Sequence, residues 1–118
     1  MDILAKSDSE ILEIAEPMWD AIVKGNNEKD WELFSKNMAL KGTDKESISR
    51  KNVEEQWETS ELLTSLTPNR EFVSILRQED CVLVLWKQWS TKVKGEHLAS
   101  LYLQSINDEV KTIGIWLR

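Results

Sequence analysis

The apolar positions of this chain repeat with two periods, and the change between them separates a helical first half from a β second half. Ile11, Ile14, Ala15, Met18 and Ile22 recur at three- and four-residue spacing, with Leu12, Trp19 and Val23 widening the stripe, as one face of an α-helix requires. Glu13, Glu16 and Asp20 fall on the opposite side, toward water. The helix opens at Ser7-Asp8-Ser9-Glu10, the spacing of a capping box in which a serine hydroxyl and a glutamate carboxylate satisfy each other's backbone amides. Pro17 lacks an amide proton and is expected to kink the helix, and Gly25-Asn26-Asn27 to end it. A second, short helix is expected over 28–36, with Trp31 and Phe34 one turn apart on its buried side. A brief strand is expected at 38–40. Both Thr43-Asp44-Lys45-Glu46 and Ser49-Arg50-Lys51-Asn52 have the look of helix starts. The later one is favoured, giving a third helix with Val53 and Trp57 inward that stops near Leu66, ahead of Pro68.

Beyond Pro68 the period shortens. Residues 71–77 alternate, 81–89 form a nearly continuous apolar run rich in β-formers, and 98–106 and 110–117 follow. The connections at 78–80, 92–95 and 107–108 are short enough that consecutive strands should pair antiparallel. The pattern is that of an α+β domain, three N-terminal helices followed by a meander of four long strands, with the brief strand at 38–40 as a fifth. In the second long strand Val82, Val84 and Trp86 point one way and Leu83, Leu85 and Trp89 the other. A strand apolar on both faces needs cover on both. The helices supply one cover, and a second copy of the chain, in a homodimer formed through the sheet face, is expected to supply the other.

Composition narrows the class. The 118 residues are 41% hydrophobic and 31% charged, with four Gly and two Pro, which fits one globular domain over 1–118 without a linker. A net charge of −6, with basic residues scattered among acids, argues against a nucleic-acid partner, because phosphate binding needs clustered cations. Cys81 is the only cysteine, so no intrachain disulfide can form, as suits a reducing compartment. The first ten residues lack an apolar leader segment and no run approaches a membrane span. A cytoplasmic protein without a membrane partner is expected.

The order helix, helix, short strand, helix, four long strands resembles the nuclear transport factor 2-like superfamily, which includes SnoaL-like polyketide cyclases and ketosteroid isomerase-like proteins and has a cystatin-like fold. The resemblance is carried by Glu28-Lys29-Asp30-Trp31-Glu32-Leu33-Phe34 leading into Met38-Ala39-Leu40, by residues 49–57, and by the meander containing Val82-Leu83-Val84-Leu85-Trp86. It implies that the sheet curves around the helices as a cone with a pocket at its mouth, and that the other sheet face makes a dimer. In the isomerase-like members a carboxylate base follows the short strand. The equivalent stretch here, 41–43, holds Gly42, with Asp44 the nearest acid, and Met18 and Trp19 stand where a first-helix tyrosine donor would be.

The reactive inventory is small. One His and one Cys cannot make a three- or four-ligand zinc site, and the acids lack the spacing of a calcium loop. No Gly-rich phosphate loop or dinucleotide fingerprint is present. No metal, cofactor or catalytic residue is therefore assigned; His97 lacks a nucleophile-elbow partner. Six tryptophans stand out. Trp31 and Trp57 fall where helices need core anchors, whereas Trp19, Trp86 and Trp116, with Tyr102 on the polar set Ser100, Tyr102 and Gln104, are the candidate ligand-binding residues. Three functions fit this inventory: a dimeric domain binding a small hydrophobic ligand without catalysis, a SnoaL-like or isomerase-like enzyme moving a proton beside a carbonyl, or a structural, partner-binding subunit.

Overall fold

A computed structural model of the chain describes residues 2–39 and 49–118. After a 3-10 turn at Ile3–Ala5 come three helices, α1 (Asp8–Glu28), α2 (Trp31–Phe34) and α3 (Arg50–Thr59). Four strands follow, β1 (Leu66–Arg77), β2 (Val82–Ser90), β3 (His97–Ile106) and β4 (Glu109–Leu117). They form one antiparallel sheet in the order β1-β2-β3-β4. The α+β class and the meander are those expected from the change of period. The tight β3–β4 hairpin turns on Asn107 and Asp108, both at positive φ (51° and 67°), the conformation a two-residue hairpin loop demands.

The capping box forms as expected, with the Ser7 hydroxyl accepting from the Glu10 amide and the Glu10 carboxylate accepting from the Ser7 amide. The helix runs through Pro17, which is exposed, and departs from expectation in two ways. Its buried arc is Ile11, Ala15, Trp19, Ile22, Val23 and Asn26, while Ile14 and Met18 are only half-buried. Trp19 therefore sits at the centre of the packed face, because its large ring dominates the area that can be buried. And α1 does not stop at Gly25-Asn26-Asn27. It continues to Glu28 and is capped by Lys29 in the left-handed region, φ 55°. Gly25 serves close packing instead: a Cβ placed there would lie 2.6 Å from the backbone of Phe34.

The third helix starts at Ser49, whose hydroxyl accepts from the Asn52 amide at 3.1 Å. It ends at Thr59, well short of the expected Leu66. The following residues are rich in hydroxyls that bond to local backbone, such as Ser60 Oγ to the Leu63 amide and Ser65 Oγ to the Glu61 carbonyl, and such bonds compete with helix. Leu66 is instead claimed by Asn27 of α1, whose side-chain amide donates to the Leu66 carbonyl at 2.8 Å and accepts from its amide at 2.9 Å. Pro68 lies inside β1. It is tolerated there because β1 is an edge strand and its pairing with β2 is interrupted between Leu66 and Arg70. Of the expected strand at 38–40, Met38 forms one parallel bridge to Thr112 of β4. Leu40, Gly42 and the alternative helix start at 43–46 lie outside the described residues.

Side chains alternate across the sheet as read from sequence. Val82, Val84, Trp86 and Gln88 of β2, with Ala99, Leu101 and Leu103 of β3, share the face on which α1 lies. Leu83, Leu85, Ser100 and Tyr102 share the opposite face, which no helix covers among the described residues. Glu16 and Asp20, expected in water, both engage Arg70 of β1, and Glu16 also accepts from Trp86 Nε1 at 2.9 Å. A rim carboxylate is drawn in because a buried indole N–H needs an acceptor.

The Gly25–Phe34 approach makes a sharp test. The Gly25→Ala chain should be less stable by about 1–3 kcal/mol, the usual cost of overpacking against atoms that cannot retreat. A urea titration followed by tryptophan fluorescence reads this as a lower midpoint with an unchanged slope.

Candidate functional site

The site is built where the helices leave the sheet. Within α3 only Trp57 is buried, with Val53 half-buried beside it. The helix is held by that one ring, which meets Phe34 edge-on at 5.7 Å and donates from Nε1 to Asn26 Oδ1 at 2.6 Å. On the facing side runs β4, an edge strand. Its pairing with β3 shifts by one residue between the Tyr102 and Leu103 positions, which leaves Ile113 as the extra residue. Such a bulge bends the strand and redirects its side chains. Gly114 is at the bend, and the Tyr102 ring lies over it, with Cδ1 3.2 Å from where a Cβ would stand.

Between α3 and β4 this leaves a cleft of about 750 Å³. Phe34, Val53 and Leu63 line it from the helical side and Ile113, Ile115 and Leu117 from the strand. Asn26, Asn52, Gln56 and Tyr102 supply its polar groups, and Trp116 stands at its margin. None of these lining side chains is charged.

The four candidate ligand-binding residues divide between two places. Tyr102 and Trp116 both border the cleft, Tyr102 half-buried and Trp116 54% exposed with the Arg118 guanidinium 5.1 Å over its ring. Trp19 and Trp86 are fully buried and stacked on each other, ring centroids 5.4 Å apart. Their indole N–H groups are satisfied within the protein, Trp19 by Gln88 Oε1 at 2.9 Å and Trp86 by Glu16. The structure does not bring the two pairs together.

Asn26 is the site residue that sequence reasoning passed over, because its place in Gly25-Asn26-Asn27 has the composition of a helix end. A signal was present. Asn26 follows Ile22 by four residues and so continues the buried stripe, where a polar side chain needs a partner. Asn52 and Gln56, four apart on α3, lie on the cleft with Val53 between them.

Other reactive groups lie elsewhere. His97 Nε2 is 3.2 Å from the Val93 carbonyl at the start of β3. Among the described residues no group of three or more His, Cys, Asp or Glu side chains could hold a metal ion, and no helix is long and apolar enough to cross a membrane. Cys81, just ahead of β2, is buried. Burial, and after it the Asp80 carboxylate, pushes its thiol above the ordinary value.

This direction fixes a pH dependence. The folded chain favours the protonated thiol, so the associated stability is fully present below the thiol's unfolded pKa and is lost as pH rises through the raised folded value. Alkylation of Cys81 by iodoacetamide should be slower in the folded chain than in urea. Its rate should still be climbing above pH 9.0, the ordinary thiol value.

No protein-family model matches the chain, and no curated protein or solved structure matches it.

Proposed function

We propose that this chain is a dimeric binding module that holds a small hydrophobic molecule in the cleft between α3 and β4 without catalysing a reaction on it. One observation carries this: a cleft of about 750 Å³ whose lining is mostly apolar and carries no charged side chain among the described residues. That volume lies within the roughly 300–1,000 Å³ typical of small-molecule sites, which are apolar with a few placed polar groups. A proton-transfer enzyme would need a base within hydrogen-bond reach of its substrate. The described lining residues are mostly apolar and include no Asp, Glu or His, which favours binding over proton transfer; Asp44, the acid nearest the expected base position, lies outside the described residues.

Membership of the nuclear transport factor 2-like superfamily is part of the proposal. It is supported by the order of helices before a four-stranded meander and by the parallel bridge of Met38 to β4 at the place expected for the short strand. The dimer rests on the sheet face away from α1. Leu76 (45% exposed), Leu98 (43%) and Trp116 are open to solvent on that face, beside Leu83 and Leu85. Large apolar side chains grouped on one sheet face, here among Ser100, Tyr102 and Lys87, are costly to leave in water.

Two measurements test this. Titration with the neutral apolar dye Nile red should give saturable fluorescence enhancement that Ile115→Glu abolishes, since a charge in the cleft has no partner. Enhancement that survives Ile115→Glu would remove the cleft from the proposal. Sedimentation should give twice the chain mass, reduced to a monomer by Leu98→Lys with Nile red binding retained. A wild-type monomer would leave the sheet face without the role assigned to it.

A further inference from the structure

Two side-chain carboxamides are buried among the described residues, and they differ in one respect. Gln88, fully buried on the inner sheet face, is satisfied on both ends. Its oxygen accepts from Trp19 Nε1, and its NH2 group donates to the carbonyls of Thr67 at 2.7 Å and Trp89 at 3.0 Å. Asn26, 3% exposed, is satisfied on one end only. Its oxygen takes the Trp57 indole proton, while its NH2 group has no acceptor among the described residues.

The orientation of this amide is fixed by chemistry. An indole nitrogen can only donate, so the Asn26 atom that faces it must be the oxygen and the other must be Nδ2. A buried N–H without a partner carries its full desolvation penalty, and such groups are rare in folded proteins. Asn26 also lines the cleft, so an acceptor arriving there can complete it.

We infer that Asn26 Nδ2 is a ligand-anchoring donor, and that the cleft takes a neutral, largely apolar molecule presenting a carbonyl oxygen to it. This rests on the binding-module function proposed above and names its ligand class. Neutrality follows from the lining, uncharged among the described residues, since an ion would be stripped of water without a counter-charge. The preference for an acceptor follows from the Trp57 bond: the amide cannot turn its oxygen to the cleft without giving up the indole proton. At Asn26 the unpaired group facing an incoming ligand is a donor. A ketone or amide carbonyl matches it, and a bare hydrocarbon leaves it unsatisfied.

Fluorenone and fluorene share a tricyclic skeleton and differ in one ketone oxygen. Titrated into the intact, nitrogen-labelled chain and followed by NMR, fluorenone should bind about fivefold to tenfold more tightly, as one added hydrogen bond allows. The Asn26 side-chain amide protons should move downfield with fluorenone and not with fluorene. Asn26→Asp, which keeps an acceptor for Trp57 and removes the NH2 group, should abolish the preference between the two compounds. Trp57→Phe, which frees the amide to turn, should narrow it. If Asn26→Asp fails to fold, the wild-type titration and Trp57→Phe decide. Equal binding of both compounds with an unmoved Asn26 amide would overturn this inference and leave the binding module standing. Binding of neither compound would overturn both.

Discussion

Burying two tryptophans against each other is the constraint that organises this molecule. The Trp19–Trp86 stack joins α1 to the centre of the sheet, and each ring brings an N–H that must not be left bare. Gln88 answers one and Glu16 the other. Glu16 is in turn held by Arg70, whose guanidinium also reaches Asp20 and lies 5.7 Å over the Trp86 ring. Arg70 is 9% exposed, so this ion pair is more sheltered than the surface pairs that contribute little to stability. Packing supplies the attraction; the polar groups fix which face of α1 meets which residues of β1 and β2.

The other helical elements are secured differently. Gly25 lets Phe34 approach α1, Phe34 receives the edge of Trp57, and Trp57 holds Asn26. This second chain of contacts ties α2 and α3 to the end of α1, away from the Trp19–Trp86 stack. Helix α3, buried through a single ring, does not fill the space in front of β4. The bulge at Ile113 and the absence of a side chain at Gly114 shape the opposite wall. A cleft at this edge is the geometric result of two separate anchoring systems.

The two sheet faces differ in what covers them. The inner face is consumed by α1 along β1 and β2 and opens into the cleft beside β4. The outer face offers Leu76, Leu98 and Trp116 to solvent with no helix to cover them among the described residues. Trp116 belongs to both settings, since it lies on the outer face and borders the cleft. Occupation of the cleft and coverage of the sheet would meet at that ring.

The sequence by itself determined the elements whose cause is local: the Ser7–Glu10 box, the start of α3 at Ser49, the four strands, and the hairpin at Asn107-Asp108. Capping, alternation and turn chemistry act over a few residues, so they can be read from a few residues. The errors came where a distant partner decides. Asn27 draws Leu66 into a strand that a helix was expected to reach, and Phe34 gives Gly25 a packing role in place of a terminating one. Trp86 and Arg70 give the still half-exposed Glu16 fixed partners, and Trp57 makes Asn26 a buried amide. Of the candidate ligand-binding residues, Tyr102 and Trp116 reached the cleft while Trp19 and Trp86 entered the core. Composition marks a tryptophan as something to bury, and only the packed structure decides what it is buried against.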